Sequence, residues 1–347
     1  MRILVVNTHV PFIYGGAEYH SNNLVENLKR HGYKVEEVKI PFKWYPPEKI
    51  LDHILAVRLL DLTESCGESV DLVIGLKFPA YFVKHNNKVL WVLHQYRQAY
   101  ELWGTEFADL KGREGIAVRK AIVNADNTYI PEAKKVFANS KNVSNRLKKF
   151  NNIDSEPLYH PPPNFERLYS SSYENYIFYP SRLNPMKRQH LAIEAMRHVK
   201  GNIKLIIAGS ADSESYKKKL IGLIDKYNLH KKVDLLGMIT EEKKLELYIN
   251  ALAVLFIPYD EDYGYITLEA YYSKKAVITC NDSGGPTEFV KHKQTGLICN
   301  PEPDYIAEVI DHIAGKKDRT IKYGREGYDF IVGLDLSWDK VVEVLTS

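Results

Sequence analysis

Twice along this 347-residue chain, short unbroken apolar runs alternate with segments of helical periodicity. In the first series the runs fall at 2–7, 35–40, 70–75 and 88–93, with helical patterns at 17–30 and 117–125. Residues 128–130 and 136–138 read as extended, and 143–150 as a basic helix carrying Arg146, Lys148 and Lys149. After residue 175 a second series begins, with runs at 176–179, 203–208, 233–236, 253–259, 276–281 and 296–299. Its helical patterns lie near 188–197, 213–228, 241–250, 264–273 and 305–313. A run that is apolar throughout fits a parallel strand covered on both faces, and such alternation specifies a doubly wound parallel sheet. The length exceeds one ordinary core. The Pro161-Pro162-Pro163 and Ser170-Ser171-Ser172 stretch between the series has linker composition. We expect an α/β protein of two Rossmann-like domains facing across a cleft, at 1–163 and 164–336. A last amphipathic helix within 337–347 is expected to pack back onto the first.

Composition narrows the partners. Charged residues at 26% and hydrophobic ones at 45% describe a soluble globular chain, and a net charge of +3 gives no argument for nucleic acid. No apolar run approaches the ~20 residues needed to span a bilayer. The apolar start at 1–7 is too short for a signal sequence. Cys66, Cys280 and Cys299 have no metal or redox spacing, which favours reduced thiols in a cytoplasm. The basic helix at 143–150 has two readings: a solvated face, or a patch seating a peripheral enzyme on anionic lipid.

The chemistry concentrates at 257–269, where a buried strand breaks into Asp260-Glu261-Asp262 and restarts at Gly264 as a helix. Crevices at the carboxyl ends of parallel strands bind ligands in open α/β sheets. The unpaired amides of a helix start attract anions there. Glu261 and Glu269 can flank a ligand at that end, as suits a polyhydroxylated phosphate ester. The alternatives are a solvated acidic loop, or a divalent-metal site on Asp260 and Asp262, which lacks further oxygen ligands. Arg182 and Lys187 sit in the loop after the run at 176–179, where cations suit a diphosphate. The loop after the first strand reads Tyr14-Gly15-Gly16-Ala17-Glu18 rather than G-x-G-x-x-G, which disfavours an NAD oxidoreductase. His94 lies just past a strand end, either structural or catalytic.

Ser181-Arg182-x4-Lys187 followed by Glu261-x7-Glu269 resembles the GT-B retaining glycosyltransferases of family 4. The likeness covers the whole chain. Gly15-Gly16-Ala17-Glu18, His94, Phe137-Ala138-Asn139-Ser140, Leu236-Gly237, Ser283-Gly284-Gly285-Pro286 with Glu288, and Ser337-Trp338-Asp339 follow in the family's order. Asp262 departs from it, since the family commonly has a small residue there.

The resemblance implies a hexosyltransferase using a UDP- or GDP-sugar donor and a glycan or lipid-linked acceptor. It implies neither cofactor nor metal, retention by same-face attack, and a cytoplasmic enzyme, with peripheral contact at the inner membrane face as an extension. By the same resemblance Arg182 and Lys187 neutralise the donor diphosphate, and Glu269 holds the ribose. Glu261 binds sugar hydroxyls, with the backbone of Gly264, Tyr265 and Ile266 and the Thr267 hydroxyl beside sugar and phosphate. His94 meets the sugar, Gly16 lets the first loop close, and the backbone at Gly237 and Met238 receives the base. A non-catalytic nucleotide-sugar binder and a sugar-nucleotide epimerase of the same fold are the alternatives.

Overall fold

The computed structural model describes residues 1–12 and 15–347; Tyr14 of the glycine loop lies outside them. The chain forms two compact units, Met1–Pro163 with Ser337–Ser347, and Asn164–Leu336.

The first unit runs β1 (Arg2–His9), α1 (Gly16–Arg30), β2 (Lys34–Pro41), α2 (Lys49–Leu59), then a short ribbon of β3 (Glu64–Ser65) and β4 (Glu68–Ser69). It continues through β5 (Leu72–Gly75), β6 (Lys88–Val92), α3 (Gly112–Tyr129), β7 (Lys135–Ala138), α4 (Lys141–Asn151) and β8 (Glu156–Pro157). The second runs β9 (Tyr176–Pro180), α5 (Gln189–Ala195), β10 (Lys204–Ala208), α6 (Glu214–Lys226), β11 (Val233–Gly237), α7 (Glu241–Asn250) and β12 (Ala253–Leu255). It ends with α8 (Tyr265–Tyr272), β13 (Ala276–Cys280), α9 (Pro286–Phe289), β14 (Gly296–Cys299), α10 (Pro303–Gly315) and α11 (Lys317–Gly333), before α12 (Trp338–Thr346) returns to the first unit.

Each unit is built on a six-stranded sheet, ordered β2-β1-β5-β6-β7-β8 and β11-β10-β9-β12-β13-β14. All pairings within these two sheets are parallel. Alternate side chains along a strand point to opposite faces. In the second sheet Ile177, Tyr179, Leu205 and Ile207 therefore pack with Ala192, Leu220 and Ile310 of α5, α6 and α10. Phe178 turns the other way, its ring 5.1 Å from Tyr248 of α7. In the first unit, Val341, Val342 and Leu345 of α12 join Ile3, Leu24 and Trp91 in one core.

Three expectations change. The run at 253–259 is a strand only through Leu255, because beyond it Ile257 donates to the Tyr179 hydroxyl (3.4 Å) and Pro258 has no N–H to give. Residues 128–130 are helical, not extended: Tyr129 closes α3 and its carbonyl accepts from the buried Lys88 ammonium at 3.1 Å. The serine-rich stretch is docked rather than free. Ser171 and Glu174 amides donate to Ile249 and Asn250 carbonyls (3.2 and 2.8 Å), and Lys275 Nζ reaches Ser170 Oγ and the Ser172 carbonyl (3.1 and 2.6 Å). Of the basic residues at 143–150 Arg146 is buried, against Glu101 at 3.2 Å, whereas Lys148, paired with Asp154, and Lys149 are exposed, as a solvated face would have them. All three cysteines are free thiols. Among the described residues no helix is long and apolar enough to cross a membrane.

Candidate active site

In the second sheet β9 lies between β10 and β12, so the chain leaves it on one side and comes back on the other. Such a reversal opens a crevice beyond the carboxyl ends of the strands. Arg182 and Lys187 follow β9, Asp212 follows β10, Glu261 follows β12 and Asp282 follows β13.

Local hydrogen bonds fix these loops. The Asn184 side chain accepts from the Met186 amide at 2.8 Å and caps the turn Pro185–Lys187. The Met186 carbonyl accepts from the Tyr259 amide at 2.7 Å, and the Tyr179 hydroxyl donates to the Lys187 carbonyl. The acidic turn is clamped to the loop after β13: the Glu261 amide donates to Ser283 O (2.9 Å) and the Gly285 amide to Glu261 O (2.8 Å). A Cβ at Gly285 would lie 2.6 Å from the Tyr263 carbonyl, so only glycine lets the two loops touch. Gly209, at φ +155, does the same for the loop carrying Asp212, since a Cβ there would meet the Ser181 carbonyl at 2.0 Å.

The result is a set of cation–carboxylate pairs. Lys187 Nζ donates to Glu261 Oε2, with side chains 18% and 22% exposed, and lies 5.6 Å from the Phe256 ring centre. Arg182 does not join them; its guanidinium contacts both oxygens of Asp212 at 2.9 and 3.0 Å, and Asn184 Nδ2 donates to the same carboxylate at 2.8 Å. Arg188 forks onto Asp282 at 2.8 and 2.7 Å. Glu269 is 6% exposed and accepts from the Tyr248 hydroxyl at 2.6 Å and from Lys244 Nζ at 3.2 Å. Lys244 and Tyr248 stand one helical turn apart on α7, which aims both at one carboxylate. Burial opposes the Lys244 charge, but Glu269 and then Glu241 outweigh it and raise the ammonium above its ordinary value.

Helix α8 begins at Tyr265, one residue later than expected, with Gly264 at φ 87 as an N-cap that has no side chain to offer. Thr267 in its first turn is fully buried, and its hydroxyl has no hydrogen-bond partner among the described residues. Ile266 is the second residue of the same turn. Gly237 ends β11 at φ 69, its carbonyl accepting from the Gly209 amide at 2.8 Å, and Met238 is 83% exposed. On the first unit, Gly16 opens α1 behind a capping turn in which Glu18 Oε2 accepts from the Gly15 amide at 2.8 Å. His94 stands two residues past β6, its Nδ1 donating to the Gln95 carbonyl at 2.7 Å.

Sequence reading thus brings Lys187 to Glu261 but misses Asp212, Arg188, Asp282, Lys244 and Tyr248. Asp212 and Asp282 were within reach, since both follow strand ends on the ligand edge. Among the described residues no group of three His, Cys, Asp or Glu side chains could hold a metal ion.

Residues 163–329 match the family of glycosyl transferases group 1. That match takes in just under half of the chain. The chain is 30% identical over 144 residues to the human alpha-1,3/1,6-mannosyltransferase ALG2, and 34% over 133 residues to that of Dictyostelium discoideum. Those matches take in 38% and 37% of this chain but only 34% and 31% of the two relatives. The chain shares its fold with sucrose-phosphate synthase from Thermosynechococcus elongatus (TM-score 0.80, 17% identity, covering 99% of this chain and 97% of that one). Anabaena HepE in complex with UDP-glucose has the same fold (TM-score 0.74, 17% identity, 100% and 98% covered).

Proposed function

We propose that the protein is a retaining hexosyltransferase that moves the sugar of a UDP- or GDP-linked donor to a glycan or lipid-linked acceptor. The observation that carries this reading is the Lys187–Glu261 contact at the reversal point of the second sheet. A cation suited to a departing diphosphate touches a carboxylate suited to sugar hydroxyls. The relatives' mannosyltransferase names and the UDP-glucose in HepE favour a hexose donor.

In this reading Lys187 and Arg182 meet the diphosphate, exchanging Glu261 and Asp212 for phosphate oxygens. They stabilise the negative charge that builds as the glycosidic bond breaks. Glu261, released from the ammonium, accepts hydroxyls of the donor sugar. Glu269, already held by Tyr248 and Lys244, accepts from the ribose. The first-turn backbone of α8 at Gly264, Tyr265 and Ile266 and the buried Thr267 hydroxyl face sugar and phosphate, while the backbone at Gly237 and Met238 takes the base. His94 meets the sugar, and Gly16 admits close approach of the first loop. The acceptor attacks on the face the leaving group departs from, and the departing phosphate takes the acceptor proton. No metal is assigned, since fixed cations supply the neutralising charge, and the enzyme is placed in the cytoplasm.

Transfer assays with a panel of UDP-, GDP- and ADP-sugars in EDTA test this. One hexosyl donor should support transfer at a rate EDTA leaves unchanged, with the anomeric configuration kept. Activity abolished by EDTA and restored by Mn²⁺ would contradict the metal-independent reading. Donor binding without turnover would point to a binding protein, and C-epimerised donor without transfer to an epimerase.

A lipid surface belongs to the same proposal through α2. This helix packs Ile50 and Val57 into the core, yet Leu51, Leu55 and Leu59, one turn apart, are 38%, 61% and 74% exposed, with Leu60 at 38%. Together these amount to about two fully exposed leucines, well under the ~800 Å² per partner of a stable protein interface. An apolar stripe of this size suits a helix face resting in a bilayer interface. Co-sedimentation with phosphatidylcholine vesicles should drop severalfold in a Leu55→Gln/Leu59→Gln chain. Unchanged sedimentation would remove α2 from the lipid contact, and loss of self-association instead would mark it as a dimer face.

A further inference from the structure

The first unit holds a buried carboxylate that the site does not use. Asp126 on α3 is fully buried, and three donors converge on it. The Tyr81 hydroxyl donates to Oδ1 at 2.8 Å, Gln95 Nε2 donates to Oδ2 at 2.8 Å, and the Tyr100 hydroxyl donates to Oδ2 as well. Gln95 Nε2 also donates to Asn151 Oδ1 at 3.0 Å. Tyr81, Gln95 and Tyr100 are at most 5% exposed. Two of these three donors, Gln95 and Tyr100, come from the segment just after β6, the turn that carries His94. Its carbonyl at Gln95 is the group that receives the His94 Nδ1–H.

We propose that Asp126 is a positioning residue for His94. By holding the Gln95 side chain to α3 it fixes the carbonyl that orients the imidazole, so His94 presents Nε2 along one direction. The proposal rests on the reading that His94 meets the donor sugar. Buried volume alone needs no carboxylate, and an ionised one is costly to bury unless donors surround it. Burial raises this carboxyl to about 6, against the opposite pull of Tyr100, Tyr81 and Gln95, so near neutral pH it is an acceptor only. An acceptor-only group is what three donors require. The geometry also fixes the tautomer: a carbonyl accepts only, so Nδ1 carries the proton.

The test is a kinetic cycle on the full chain with His94→Ala, Gln95→Met and their double variant, and with Asp126→Asn beside them. Gln95→Met should lower kcat about tenfold while donor KM moves less than about twofold, because the diphosphate grip lies on the other unit. Asp126→Asn should show the same split if it folds, since its amide sets an N–H against the donors it must receive; its thermal midpoint reports folding. The double variant should be no slower than His94→Ala alone, because both act through one ring. Losses that multiply would show Gln95 and Asp126 to be independent of His94 and overturn the proposal. Undiminished turnover in His94→Ala would overturn it together with the sugar role of His94, while leaving the Lys187–Glu261 reading intact.

Discussion

Replacing Lys187 with alanine lowers kcat by about a hundred- to a thousandfold while donor KM changes by less than about tenfold. The asymmetry follows from when the charge appears. In the proposed donor complex the diphosphate is shared among Arg182, Lys187 and helix-start amides, but in the transition state the leaving oxygen gains charge that the ground state lacks. Only an interaction that strengthens with that charge changes kcat. The substitution also strands Glu261, whose carboxylate is held by the Lys187 ammonium at a partly buried position. In a Lys187→Ala/Glu261→Gln chain any thermal stability lost to the unneutralised carboxylate should be recovered, which reports that effect apart from catalysis. Steady-state kinetics that left kcat within twofold of the parent would contradict the leaving-group role.

Acidification from pH 7.5 to pH 5 should cost the first unit about 2 kcal/mol through His20, with His160 acting in the same direction and Asp126, whose carboxyl burial raises, in the opposite one. The cause is a pair of buried histidines. His20 on α1 and His160 after β8 lie with Nδ1 and Nε2 3.0 Å apart, 2% and 0% exposed, between Trp91 and Trp338 of α12. Burial lowers the His20 pKa from 6.5 to about 3, and burial with the neighbouring His20 lowers His160 well below its ordinary value.

The folded-state values are depressed, so the unfolded chain binds protons first as pH falls. The histidine contribution is complete above about 6.5 and is lost progressively below it, by about 2 kcal/mol for His20 at pH 5. That is a large share of the ~5–15 kcal/mol of a typical domain. Thermal midpoints followed by circular dichroism should fall by roughly 4–8 °C over that range, and His20→Gln should reduce the dependence. A midpoint that does not move with pH would mean that the pair is charged or solvated in the folded chain.

The strand–helix alternation was legible because the central strands β5, β6, β9, β12 and β13 are buried on both faces. What the sequence hid were helices and contacts set by neighbours. Helix α11 carries Gly324 and Gly327, which argue against a helix in isolation. In the fold a Cβ at Gly324 would meet the Lys274 carbonyl at 2.1 Å, and one at Gly327 the Tyr271 ring at 2.3 Å. These glycines exist so that the helix can lie on α8 and the turn before β13. Residues 128–130 misled for the opposite reason: Thr, Tyr and Ile favour strands, but the last turn of α3 is stabilised by tertiary contacts that outweigh propensity.

At the site, Lys187 and Glu261 were readable because both follow strand ends. The partners of Glu269 were not, since Lys244 and Tyr248 reveal their role only when α7 is brought beside α8. Arg182 was read with Lys187 because the two are close in sequence. The loop after β10 captures it instead, through the carboxylate of Asp212.

Ligand-dependent thermal denaturation tests the central claim most directly. At a donor concentration about a hundredfold above Kd, the account predicts that a UDP- or GDP-hexose raises the midpoint of the parent chain by roughly 5–10 °C. In Glu269→Gln the same concentration should give a rise of only about 2 °C, because a charge-assisted hydrogen bond to the ribose is gone. Equal rises in the two chains, or none with any nucleotide sugar, would contradict it.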